Sequence, residues 1–187
     1  MMRKVQREEI LDYQTYTEKR EQIRAAVLPV KKPRRIHVGD TLTFLFENAD
    51  TVRYQIQEMM RAEQIVKEEA IEHEIKTYNE LLGDEGELGC VLLIEIDDPA
   101  ERDVKLRAWL DLPRHLYVGF EDGERAYAQF DARQVGDDRV SSVQYLKFHT
   151  GGRVPTVIGS DLPAFSVENW LNEDQRKALD EDLTTRA

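Results

Sequence analysis

The stretch NADTVRYQIQEMMRAEQIVKEEAIEHEIKTYNELL, residues 48–82, decides how the rest of the chain is read, because it holds neither glycine nor proline and keeps helical spacing throughout. At about 100° per residue, Val52, Ile56, Met59, Met60, Val66, Ala70, Ile71, Tyr78 and Leu81 share one face. The spacing predicts one long central helix. Asn48 or Asp50 can cap its start by accepting from an orphan backbone N–H at the positive end of its dipole.

Three ionisable residues, Glu63, Lys67 and Glu74, fall in the same apolar arc. Burying charges is costly unless each is paired, so the interruption marks a polar pocket, an interface, or a place where the face meets water. Glu63 and Lys67 stand at i and i+4, within pairing reach. Glu63 and Glu74 lie about 16 Å apart along an ideal helix, too far for a glycosidase-type carboxylate pair.

Upstream, residues 7–28 carry a thin apolar stripe and read as a helix lying against the body. Pro29 and Pro33 predict an extended connector after it, since proline disfavours α geometry in the residue before it. Lys31, Lys32, Arg34 and Arg35 make this connector the most basic spot in the chain, either a solvated linker or a contact for an anion or an acidic partner. Residues 36–47 read as two strand pieces about a Gly39-Asp40 turn.

Downstream, residues 88–96 read as a strand and residues 99–110 as a short helix capped by Asp98. A hairpin is centred on Asp122-Gly123, a further strand spans 143–148, and HTGGR (149–153) is a glycine turn. Residues 154–158 suggest an edge strand and 162–166 an irregular link. Asn172 and Gln175 then open a terminal helix with a capping-box pattern. The expected fold is α+β: a long central helix packed on a largely antiparallel sheet of about five strands, with N- and C-terminal helices. One domain spans 1–187, divided into a basic arm and linker (1–35), an α+β body (36–160) and a C-terminal helical tail (161–187).

The first 37 residues carry ten Lys and Arg against five Asp and Glu, whereas the remainder carries sixteen against thirty-two. Such an acidic body repels nucleic-acid phosphates and favours self-association or a partner of mixed charge. The single Cys90 cannot form an internal disulfide, and its apolar surroundings mark it as a packing residue in a reducing cytoplasm. No run of about 18 apolar residues suggests a membrane span.

No catalytic signature stands out. Glu69 and His73 could lend two metal ligands, but Ala70 occupies the position that a Glu-x-x-His motif requires, and His37, His115 and His149 show no ligand spacing. Neither a metal nor a cofactor is expected. The HTGGR turn could form an anion-binding backbone nest, with His149 and Arg153 adding charge, although a plain hairpin turn explains two glycines better. A Walker loop, a dinucleotide fingerprint and a G-x-S-x-G elbow are all absent from the sequence.

The block FLFENADTVRYQIQEMMRAE (44–63), with Tyr78-Asn79 and SVQYLKF (142–148), resembles an uncharacterised bacterial family catalogued as domain of unknown function 3501. The resemblance runs over nearly the whole chain. Its members are often encoded beside rubrerythrin-like proteins and iron-sulfur oxidoreductases, which implies a redox protein as partner. It assigns no roles to Arg53, Gln55, Gln57, Glu58, Arg61 or Glu63. The expectation is a non-enzymatic accessory or interaction protein of redox or peroxide-stress metabolism, able to form homo-oligomers and carrying its polar site or interface on Arg53, Gln57, Glu58, Arg61, Glu63, Lys67 and Glu74. The alternative is a small enzyme or ligand-binding protein with a polar pocket on the long helix.

Overall fold

A computed structural model describes residues 3–185. Its elements in chain order are α1 (Tyr13–Lys31), β1 (Arg35–Val38), β2 (Leu42–Glu47), α2 (Ala49–Ala62), α3 (Glu68–Asn79), β3 (Glu87–Ile94), α4 (Pro99–Ala108), α5 (Leu112–His115), β4 (Leu116–Gly119), β5 (Arg125–Tyr127), β6 (Val143–His149), β7 (Val157–Leu162), β8 (Phe165–Trp170) and α6 (Glu173–Thr184). The strands form two four-stranded antiparallel sheets, ordered β1-β2-β3-β6 and β5-β4-β7-β8. The fold is α+β as expected, but two sheets replace the single sheet of about five strands.

The inward residues of both sheets pack into one core, with Phe44, Phe46, Leu92 and Phe148 from the first and Leu116, Val118 and Ile158 from the second. The sheets also meet along both flanks. Gln129 and Lys147 exchange backbone bonds of 2.7 and 2.9 Å beside β5 and β6, and the Asn169 amide of β8 donates to the His37 carbonyl of β1 at 2.7 Å. The result is a flattened barrel in which most strand edges are covered. Trp109 enters the core after α4 and stacks on Phe165, with ring centroids 4.2 Å apart.

A second, helical core gathers Val52, Ile56 and Met60 of α2, Ile71 and Ile75 of α3, and Val5 and Ile10 of the N-terminal arm. Here the single long helix expected over 48–82 is broken. After Ala62 the backbone turns left-handed at Gln64 (φ 52°), the Ile65 N–H reaches the Met60 carbonyl at 2.8 Å, and the Gln64 N–H points to the Arg61 carbonyl at 3.4 Å. These two bonds define a Schellman stop, with Gln64 where glycine is usual and Ile65 folded back onto the Met60 cluster. Burying Ile65 outweighs the left-handed cost at Gln64. Val66, placed on the buried face by helical spacing, is 69% exposed as a consequence.

Three further expectations are corrected. The first helix begins at Tyr13, capped by Asp12, after a 3-10 turn at Arg7–Glu9, and it runs through Pro29 to Lys31. Pro29 lies in the last turns of the helix, where its missing N–H forfeits a single bond, and the Arg34 guanidinium takes up the Val30 carbonyl at 2.7 Å. The connector is therefore helical, not extended. Residues 154–166 are neither an edge strand nor an irregular link: β7 lies between β4 and β8, and Pro163-Ala164 turns it into β8. Proline suits a tight turn as well as it breaks a strand. The stretch expected to be a helical tail therefore opens with the end of β7 and all of β8.

The expected caps hold. Asn48 accepts from the N–H groups of Asp50 and Thr51, Asp98 caps α4, and Asn172 and Gln175 form a capping box at α6. One buried ion pair joins three of these elements. The Arg34 guanidinium makes two 2.8 Å bonds to Asp182 of α6 and a third, of 3.2 Å, to the Ala178 carbonyl, while the Asn48 amide donates to Asp182 at 3.1 Å. Burial nevertheless pushes the Asp182 carboxyl above its ordinary value, against the pull of Arg34 and Asn48. The pair specifies geometry more than it adds stability. Asp182→Ala, which strands a buried guanidinium, should lose about 3–5 kcal/mol in urea unfolding, and Arg34→Met with Asp182→Leu should recover most of it.

Candidate functional site

The polar residues of α2 turn toward the N-terminal arm and α1. Gln57 uses its whole amide on Leu11, accepting from the Leu11 N–H at 2.7 Å and donating to its carbonyl at 3.1 Å. Asn79, at the end of α3, holds Val5 in the same way through two 2.9 Å bonds. Each amide acts as one rung of a strand partner and so satisfies an extended segment that has no sheet of its own. Arg53 pairs with Glu9 of the arm and with Asp50, while Glu68 of α3 holds Arg7. Glu58 receives the Tyr16 hydroxyl at 2.6 Å and both prongs of Arg20 at 2.7 and 2.9 Å, which fastens α1 to α2.

The remaining expected residues do not converge with these. Arg61, Glu63 and Lys67 are exposed at and beside the helix break, and no ion pair joins Glu63 to Lys67 among the described residues. Their shared face existed only on an unbroken helix. Glu74 lies apart, on the wall of a cleft between α3 and β6. The basic quartet is dispersed as well: the Lys31 ammonium stands 5.4 Å from the centre of the Tyr54 ring, Arg34 is buried on Asp182, Arg35 reaches Glu95 at 3.8 Å, and Lys32 stays exposed. A cleft of about 810 Å³ beside Arg34 mixes Arg3, Lys32 and Lys177 with Asp50, Asp174 and Glu181 and favours neither sign. Cys90 is buried, and burial pushes its thiol well up, which suits packing.

The densest set of functional groups sits on the outer face of β5-β4-β7-β8. The register places Tyr117 beside Tyr127 and Gly159, Gly159 beside Glu168, and Val157 beside Trp170. His115 Nδ1 meets Asp161 at 2.8 Å, and the other Asp161 oxygen accepts from the Tyr127 hydroxyl at 2.5 Å and from Arg125 at 3.2 Å. The Arg125 guanidinium lies 3.9 Å over the Tyr117 ring, 3.8 Å from Glu168, and the Tyr117 hydroxyl donates to Glu168. Gly159 makes room: a Cβ there would stand 2.3 Å from the Val167 carbonyl oxygen and 3.2 Å from the Tyr117 hydroxyl.

The network is saturated. The bond from Tyr127 holds the Asp161 carboxyl below its usual range, with His115 adding to it, and burial together with the bond to Glu168 pushes the Tyr117 phenol up to about 12. A carboxyl so lowered and a phenol so raised are poor acids and bases at neutral pH, and the bonded set forms a stiff polar platform. Trp170 stands beside it, 75% exposed.

A model for a family described as a protein of unknown function (DUF3501) matches residues 4–183. The chain belongs to the DUF3501 family. A solved crystal structure of a protein of unknown function from Burkholderia pseudomallei K96243 is 28% identical and superposes with a TM-score of 0.87, over 97% of this chain and 100% of that one. No curated protein matches the chain. The motif block of this DUF3501 protein is thus read as a fastening surface: Arg53, Gln57 and Glu58 act on the chain's own N-terminal arm and first helix. The sheet-face network escaped the sequence reading because its members come from four strands and the end of α5. The alternation Ser166, Glu168, Trp170 in FSVENW was its one local trace.

Glu58 carries a consequence for pH. The bonds from Arg20, opposed by burial and aided by Tyr16, hold its carboxyl below the ordinary value of 4.5. A carboxyl depressed in the folded state contributes its full stabilisation above the unfolded value and loses it as pH falls through the folded one. Glu58→Gln should therefore cost about 1–2 kcal/mol in urea unfolding at neutral pH. The gap to wild type should close as the pH is taken below 4.5.

Proposed function

We propose that this DUF3501 protein is a non-enzymatic accessory protein that docks a redox protein on the open face of β5-β4-β7-β8. The observation that carries this reading is Trp170, 75% exposed on β8, on the same sheet face that carries Tyr127 and Arg125 on β5. Trp, Tyr and Arg are the residue types that dominate interface hot spots. Here the strands hold them, and the Asp161 and Glu168 carboxylates fix Arg125 and Tyr127 before any partner arrives, so less side-chain freedom is lost on association.

The platform carries both signs, with Arg125 against Asp161 and Glu168. A partner surface of mixed charge suits it. The resemblance supplies the partner class, a rubrerythrin-like protein or an iron-sulfur oxidoreductase of the same cell. Each purified candidate should be titrated into this protein by calorimetry. Binding is expected, and Trp170→Ala should weaken it about tenfold or more with the unfolding midpoint unchanged. Failure of both redox proteins to bind, or wild-type affinity in the variant, would overturn the proposal.

A further inference from the structure

We infer that the cleft between α3 and β6 binds a linear aliphatic polyamine. This goes beyond the docking face, since the cleft lies on the other sheet. It encloses about 630 Å³, a volume suited to a small ligand. One side exists because residue 89 is glycine: a Cβ there would lie 1.8 Å from the Leu81 carbonyl oxygen, so the turn ending α3 could not seat on β3. The other side is the segment 129–134. It is pinned to β6 by the Gln129–Lys147 backbone bonds and by Gln134, whose amide clasps the Tyr145 N–H at 2.6 Å and its carbonyl at 3.1 Å.

The walls present Tyr78, Phe130 and Tyr145 with Glu74 and Glu80. Asp131 also lines the cleft, but Arg133 saturates it with bonds of 2.8 and 3.0 Å. No cation pairs with Glu74 or Glu80 among the described residues; Lys147, on the opposite wall, forms no ion pair with either. Tyr78, Glu74 and Tyr145 line one space, and burial, opposed by a bond with Gln55 and aided by the Glu74 carboxylate, pushes the Tyr78 phenol up.

Two free carboxylates beside aromatic faces select an organic cation. Ring faces attract ammonium groups and cover methylenes. Glu74 and Glu80 are six residues apart, about 9 Å along a helix axis. That spacing is too wide for both to hold one metal ion, and a single small ammonium cannot reach both. A chain with ammonium groups separated by several methylenes can.

The test is calorimetric titration of the full chain with spermidine at low salt. Binding of one equivalent is expected. Glu74→Gln with Glu80→Gln, and separately Tyr145→Ala, should weaken it about tenfold, in line with lost charge pairs and a lost cation–π contact. Lys147→Gln should tighten it. Because any acidic protein attracts polyamines, the control is Glu69→Gln with Glu72→Gln, the same charge change on exposed positions of the same helix. Retained affinity in that control supports the site. An equal loss there, unchanged binding in both site variants, or no binding to wild type would each overturn the inference.

Discussion

The Arg34–Asp182 pair is the contact on which the arrangement of the helices depends. Two 2.8 Å bonds bring α6 onto the turn that follows α1, and the Asn48 amide, itself the cap of α2, closes the triangle from the third side. Three helix ends that are distant in sequence thereby share one buried carboxylate. The arrangement is costly in desolvation, since burial raises the Asp182 carboxyl, yet it satisfies the guanidinium, the Val30 and Ala178 carbonyls and the Asn48 amide together. A buried pair of this kind acts by excluding misplaced alternatives rather than by adding net stability.

From that junction outward the chain solves one recurring problem with one device. Extended segments without a strand partner must satisfy their backbone groups, and three side-chain amides do this by binding both groups of a single residue. Gln57 holds Leu11, Asn79 holds Val5 and Gln134 holds Tyr145. The first two draw Val5 and Ile10 into the helical core, each apolar side chain so buried contributing about 1.5–3 kcal/mol. The third covers β6 where it would otherwise present an open edge.

What was legible in the sequence is what is decided locally. The caps at Asn48, Asp98 and Asn172, the turns at Gly39-Asp40 and Asp122-Gly123, and the cores of β2, β3 and β6 depend on near neighbours, and all were readable. The break at Gln64 was not, because no glycine marks it and its cause is the burial of Ile65 on Met60. The helix α1 runs through Pro29 to Lys31, and its end is satisfied by Arg34 reaching back from outside the helix to the Val30 carbonyl. Of the expected site residues, Arg53, Gln57 and Glu58 were recognisable as a block, but their partners Glu9, Leu11 and Tyr16 lie some 40 positions earlier in the chain. Glu74 lines the cleft between α3 and β6, whereas Arg53 and Gln57 line a smaller one beside α1.

The two proposed surfaces differ in how their charges are spent, and that difference argues for different occupants. On the sheet face every ionisable group is already engaged: His115, Arg125 and Tyr127 on Asp161, Tyr117 on Glu168. Covering such a face removes water from pairs rather than from bare ions, so the desolvation penalty is smaller and Trp170 can contribute its apolar area to association. In the cleft the carboxylates of Glu74 and Glu80 remain unspent beside aromatic walls. A protein surface laid over them would have to strip two bare charges of water without return, whereas a cation returns the energy of both. Saturated charge suits a surface that is to be covered, and unsaturated charge suits a site that recruits its counter-ion.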